Sequence, residues 1–321
     1  MKRLKLRKKA RNTLLISIII IIFLSIGLHS AIKIHKQKEY EKTYEYKLTN
    51  VGYSLDDTKI LLDKLKDKEI DYLLENDKSD LYLNIIKEKY FIYDNFYKYI
   101  EYYNKNKDKD LRSIVEIINT NRDQEYYSET YDTDVSKGYL LITNKYYHLN
   151  ETYTPENLVA FSTTYAWGDK GSKQVTQDTY DAYMNMWKAS HENGYYLMVS
   201  SAYRDYNKQV SVYDEDKTKS GEKYADSIAA RPGYSEHQTG YALDIFEKGY
   251  TQKTFETSDS YKWLQDNAHK FGFIERYPKD KENITGFTYE SWHYRYVGVE
   301  AATYIHDNHI TFDEYYAYFV K

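Results

Sequence analysis

Apolar positions change their spacing several times along this chain. Thr13–Ile32 is a continuous apolar run, mostly Ile and Leu, without a formal charge. At about 1.5 Å per residue such a run spans about 30 Å as a helix, the thickness of one bilayer core. Residues 33–53 turn polar and charged and read as a stalk. Beyond it, Leu61, Leu62 and Leu65, then Ile70, Leu73 and Leu74, then Leu83, Ile86, Tyr90, Tyr93 and Tyr97 recur at three- and four-residue spacings. This period predicts two or three short helices packed as a small antiparallel unit, with Ser54 and Asp57 capping the first. Asn104–Asp110 is a charged break.

The pattern after the break is mixed. Ser113–Asn119 and Gly138–Asn144 are rich in β-branched and aliphatic residues and read as strands. Thr154 before Pro155 reads as a helix start. Thr176–Asn193 predicts an amphipathic helix with Tyr180, Tyr183, Met184 and Trp187 on its apolar stripe and Gly194 as its left-handed cap. Tyr195–Ser200 is a buried strand that delivers Ser201-Ala202-Tyr203-Arg204. Tyr241–Phe246 and Tyr294–Val299 are further strands, and Tyr261–Lys270 is a helix. Strands and helices mix without βαβ alternation, so the fold class is α+β. The expected organisation is a basic tail at 1–12, a membrane span at 13–32, a stalk at 33–53, a helical segment at 54–109 and a catalytic domain at 110–321.

Charge adds an orientation. Ten of the 45 basic residues and none of the 49 acids fall in the first 38 positions, so residues 39–321 carry 35 bases against 49 acids, a net of −14. The basic end stays in the cytoplasm and the remainder is exported, which makes a single-pass protein of the cell membrane with an extracytoplasmic body. The apolar run is long for a signal peptide and Gly27–Ala31 is a poor cleavage site, which favours an uncleaved signal anchor; cleavage after Ser30 or Ala31 is the alternative. An acidic body lacks the basic face that nucleic acid requires. The 40 tyrosines are spread along the whole chain and read as compositional bias rather than a sugar-binding patch. The absence of cysteine excludes disulfides, thiolate metal ligands and a lipidated Cys.

Two segments hold the candidate chemistry: Ser235-Glu236-His237-Gln238-Thr239-Gly240-Tyr241-Ala242-Leu243-Asp244 and Glu290-Ser291-Trp292-His293. Two histidines, an aspartate and a further carboxylate suffice for a catalytic zinc centre with an open position for water. Strand alternation places Ala242, Asp244 and Phe246 on one face, and an acid in so apolar a strand needs a compensating partner. A metal is one such partner; Arg204 or Arg231 is another. The Thr239-Gly240 turn can return His237 beside Asp244. Glu290, three residues before His293, can face the same cavity. Glu236, next to a ligand, is expected to point into solvent. Arg204, at the end of a buried strand, suits oxyanion support, with a substrate clamp or a structural ion pair as alternatives.

These motifs, with Ser201-Ala202-Tyr203-Arg204, Gln209, Phe271–Pro278, Ile284-Thr285-Gly286 and His293–Gly298, resemble the VanY-type zinc D-alanyl-D-alanine carboxypeptidases and the related L,D-carboxypeptidases over roughly residues 110–300. Ser291 departs from them, since Pro is frequent there. The resemblance implies a zinc D,D-peptidase or Hedgehog-like domain, an antiparallel sheet with flanking helices. It implies His237, Asp244 and His293 as Zn2+ ligands, Glu290 as catalytic base, Arg204 as carbonyl support, and Gln209 and Ser235 among substrate contacts; a carboxypeptidase must also capture a free C-terminal carboxylate, for which Arg204, Ser235, Arg231 and Tyr234 are candidates. The implied function is removal of the terminal D-Ala from peptidoglycan stem peptides. The alternatives are L,D cleavage of tetrapeptide stems and a silent wall-binding module, which predicts loss of a ligand or of the base.

Overall fold

The computed structural model describes residues 2–321, with side chains from residue 13 onward except Ile16 and Ile19. The basic side chains expected at 1–12 lie outside the described ones. A helix runs from Lys2 to Tyr40. The stretch Thr13–Glu41 contains an 18-residue window of mean hydropathy 2.6, none of it buried, and is long and apolar enough to cross a membrane, as both anchors and signal sequences are. The chain divides into two compact units, residues 1–100 and 101–321.

In the first unit the expected two or three helices are four: Leu55–Lys64, Asp67–Glu75, Asp80–Lys87 and Phe96–Lys105, the last running past residue 100. Another short helix, Tyr44–Asn50, precedes them. The Ser54 hydroxyl accepts the Asp57 backbone N–H at 3.1 Å, as the sequence suggested. Each helix is shorter than the roughly 12–15 residues that sustain an isolated helix, so their stability comes from a shared core. Leu48, Leu61, Ile70, Leu73, Leu83, Ile86 and Phe96 supply it.

The second unit is built on a four-stranded antiparallel sheet: β1 (Leu197–Ser201), β2 (Ala242–Glu247), β3 (Phe273–Glu275) and β4 (His293–Tyr296), in the spatial order β1-β2-β4-β3. The register pairs Ala242 with Arg295, Leu243 with Tyr294, and Asp244 with His293. Side chains alternate, so Leu243, Ile245 and Tyr294 enter one core with Tyr183 and Met186 of the helix Gln177–Glu192. Tyr183 Oη and Trp187 Nε1 both donate to the Leu197 carbonyl, at 3.3 and 3.0 Å, and fasten that helix to β1. The opposite face carries Asp244, His293 and Arg295. A second core joins Ile274 and Val297 to the C-terminal helices Val299–Asn308 and Phe312–Phe319.

Three local expectations are corrected. Ser113–Asn119 lies in a helix, Leu111–Asn119, because Ile114, Val115 and Ile118 fall on one helical face and Asp110 caps the N-terminus. Packing of that face overrides the β preference of its residues. Gly138–Asn144 is not a strand: a 3-10 turn, Val135–Leu140, leads into it, and Gly138 has φ 57. Its carbonyls bond to side chains instead of a ladder, Leu141 O to Arg295 Nη2 at 2.7 Å and Ile142 O to Thr133 Oγ1 at 2.7 Å. Thr154-Pro155 starts no helix, since Asn157 takes a left-handed φ of 54 and the chain enters a short strand, Leu158–Ala160.

Glu275 sits opposite Tyr294 on the apolar face and accepts the Tyr261 hydroxyl at 2.9 Å. Burial pushes its carboxyl from 4.5 up to about 7. The folded state therefore binds more protons than the unfolded state between those values. Its contribution to stability is fully present below pH 4.5 and is lost as pH rises through 7. Glu275→Gln is expected to flatten the stability profile by up to about 3 kcal/mol between about pH 5 and pH 8, measured by urea unfolding of the full chain in detergent. A native-like slope in the variant would contradict this account.

Candidate metal centre

Asp244 and His293 are cross-strand partners in the middle of the sheet, so their side chains leave the same face side by side. His237 reaches them from the short 3-10 helix Glu236–Thr239, and Gly240 then turns the chain into β2. Gly240 has φ +74, and a Cβ there would lie 2.9 Å from Pro155 and 3.1 Å from Thr176, so only glycine fits this return. The donor atoms of His237, Asp244 and His293 all lie within 4.8 Å of one another and are buried.

Hydrogen bonds fix which ring atoms face inward. His237 Nδ1 donates to the Ala202 carbonyl at 2.8 Å, and its Nε2 is 3.5 Å from Asp244 Oδ1. His293 Nε2 faces Glu236 Oε2 at 3.3 Å, and its Nδ1 is 3.1 Å from the same Asp244 oxygen. One nitrogen of each ring and one carboxylate thus converge, with the outer nitrogens already committed. Two imidazoles and a carboxylate are a donor set suited to a zinc ion, so these residues fit such a group. Burial opposes ionisation of Asp244, but His237 and His293 overcome it and hold the carboxyl far below the usual range. Burial also works against a charged His293; Asp244 and Glu236 outweigh it and raise the ring to about 9.

Glu290 approaches from the segment before β4, its Oε2 3.9 Å from His293 Nδ1. Burial, seconded by Asp244, lifts its pKa from 4.5 to about 8. Arg204 follows β1; its Nη1 donates to Gln209 at 2.8 Å and its Nη2 to Ser201 at 3.2 Å. These groups line one cavity of about 380 Å³, with Ser235, Asp216, Tyr277, Phe287 and Trp292 on its walls.

The other anticipated residues are placed differently. Gln209 lines the cavity, but its amide is engaged by Arg204 and by the Ala230 carbonyl at 2.8 Å. Arg231 is held by Asp226 and Glu222, and Tyr234 packs on His148 and Tyr127; neither lines the cavity. Glu236 corrects the solvent-facing expectation outright, being 1% exposed. Its Oε1 accepts from Arg276 Nε at 2.7 Å and from Arg295 Nη1 at 2.9 Å. Arg276, directly after β3, and Arg295, within β4, are the charges that this buried carboxylate answers.

Comparison with known proteins agrees with this geometry. Residues 172–299 match the family described as VanY, D-alanyl-D-alanine carboxypeptidase. A putative carboxypeptidase, YodJ of Bacillus subtilis, is 41% identical over 181 residues, 55% of this chain and 66% of that protein. A D-alanyl-D-alanine carboxypeptidase of Enterococcus faecalis is 41% identical over 140 residues, 41% of this chain and 51% of that one. The chain therefore spans less than two thirds of the length of these relatives. Among solved structures, the LdcB LD-carboxypeptidase superposes with a TM-score of 0.56 and 39% identity, covering 59% of this chain and 90% of its own. A mutant of the D,D-pentapeptidase VanY, solved in complex with Zn(II), gives a TM-score of 0.48 and 34% identity over 55% of this chain and 97% of its own. The family's motifs, its sheet and its length of shared sequence all recur here: this chain belongs to the VanY family of D-alanyl-D-alanine carboxypeptidases.

Proposed function

We propose that this protein is a membrane-anchored zinc carboxypeptidase that removes the terminal D-alanine from peptidoglycan stem peptides outside the cell. The observation that carries the reading is the convergence of His237, Asp244 and His293 on one buried point, with Glu290 and Arg204 on the same cavity. The apolar helix supports anchoring beside the wall.

His237, Asp244 and His293 would hold the zinc. When bound, the ion supplies Lewis-acid chemistry, acidifying a water and polarising the substrate carbonyl. Glu290 takes a proton from the attacking water and delivers it to the amine that leaves as the C–N bond breaks. Arg204 faces the oxygen on which negative charge develops; Gln209 and Ser201 fix its plane and leave its remaining N–H groups for substrate. Among the described residues, Arg204 is the one arginine or lysine on the cavity wall, so it also suits the substrate's terminal carboxylate. Ser235, Tyr277 and Thr288 add hydroxyl-bearing side chains to the same wall. Retention of all three ligands and of Glu290 weighs against a silent wall-binding module.

Cleavage of pentapeptide stems, D,D chemistry, is favoured by the family description and by the Enterococcus relative. The likeness to LdcB favours a second reading, L,D cleavage of tetrapeptide stems. Incubating the zinc-loaded, detergent-solubilised chain with each stem and weighing the products decides between them. Loss of one alanine from the pentapeptide alone supports the first, and loss from the tetrapeptide alone the second. No product from either sinks the carboxypeptidase.

Two substitutions test the roles. Glu290→Gln is expected to lower kcat by about 10²- to 10⁴-fold while zinc content, read by atomic absorption, stays at the native level. Arg204→Lys keeps the charge but loses the planar fork, and kcat/KM is expected to fall by about 10²-fold. Near-native kinetics in either variant would remove that residue from the mechanism.

A further inference from the structure

Behind the metal centre lies a closed set of four charges. Arg276 joins Glu236 Oε1 at 2.7 Å to Asp313 Oδ2 at 2.6 Å, and Arg295 donates to the same Glu236 oxygen at 2.9 Å. All four residues are at most 5% exposed. Asp313 is the second residue of the C-terminal helix, whose start is fixed by a capping box between Thr311 and Glu314. The Phe312 ring lies under both guanidiniums, at 5.6 and 5.1 Å. Asn144 closes the far end by donating to Asp313 Oδ1 at 2.7 Å.

Such a cluster is a poor device for stability, because desolvating four charges costs about as much as their attraction returns. Its arrangement is better explained by its one outlet. Both arginines take Glu236 Oε1, which leaves Oε2 to His293 Nε2. The carboxylate can neither rotate nor drift without breaking two ion pairs. We propose that Glu236 is a positioning residue for His293, and that Arg276 and Asp313 tie this function to the C-terminal helix, so that the helix sets the affinity of the metal centre. The proposal rests on the zinc reading of that centre.

The test compares zinc affinity, by chelator competition, in the full native chain and in E236Q, D313N and E275Q. Carboxylates behind a metal-bound histidine typically contribute about 10- to 100-fold in affinity. E236Q is expected to lose that much, and D313N, which leaves Glu236 in place, a smaller part. E275Q lies on the opposite face of the sheet and is expected to bind as the native chain does. Cobalt(II)-loaded E236Q should also show displaced visible bands, which a merely structural role would not produce. If E236Q does not fold, D313N carries the test. Zinc binding by the native chain, with the folded variants within twofold of it, overturns the proposal alone. A native chain that takes up no zinc overturns the reading of the centre as well.

Discussion

Asp244 and His293 face each other across two antiparallel strands, and the catalytic unit is organised around the need to compensate that pair. A carboxylate and an imidazole buried in the middle of a sheet are costly unless their remaining lone pairs and protons are satisfied. Three elements answer this demand. The Glu236–Thr239 turn brings His237, the segment before β4 brings Glu290, and the end of β1 brings Arg204. Each is fixed by backbone contacts: Arg204 N donates to the His237 carbonyl at 3.1 Å, and Glu290 N to the Tyr277 carbonyl at 3.0 Å. The site is therefore a property of the sheet's register, and a slip of one residue in either strand would put the two ligands on opposite faces.

The two faces divide the work. Leu243, Ile245 and Tyr294 pack on the helix Gln177–Glu192 and make the sheet rigid. Asp244, His293 and Arg295 occupy the opposite face, where ordinary hydrophobic packing is replaced by ion pairs and by the carbonyls of Tyr139 and Leu141. Rigidity from the first face is what permits the second to hold polar groups in fixed directions, since half-satisfied buried polar networks lose their specificity.

Much of this was legible from residue types and spacing. The Gly240 turn, the alternation around Asp244 and the three-residue offset between Glu290 and His293 are local relations, and local geometry decides them. The burial of Glu236 was not legible, because standing next to a ligand points a side chain the opposite way only in an extended chain, and this stretch forms a 3-10 turn. At three residues per turn, neighbours such as Glu236 and His237 diverge by about 120°, so both can be buried. Its partners Arg276 and Arg295 lie 40 and 59 positions away, Asp313 on the far side of Arg276 lies 77 away, and only the tertiary fold brings them together. Ser113–Asn119 failed for a different reason: its β-branched residues fit a helix once one face has a core to cover.

Bond preference follows from the same division between floor and wall. The D,D and L,D reactions both hydrolyse an amide that ends in D-alanine. They differ in the residue on the acyl side and in how much peptide precedes it. In the proposed mechanism the metal ligands, Glu290 and Arg204 would act on the amide and its neighbouring oxygens, which are common to both. Discrimination therefore belongs to the side chains that flank the acyl residue. Val212 and Asp216 line one wall from a helix, Tyr206–Ser220; Ile228, Ala229 and Ala230 belong to the adjoining stretch, and Phe287 and Thr288 to the segment before Glu290. An apolar wall separates two substrates that differ by a methylene by only about 1–3 kcal/mol, whereas an unpaired buried polar group rejects more strongly. Within the proposed function, the half-buried carboxylate of Asp216 is the wall group that a stem without a matching donor would leave unpaired.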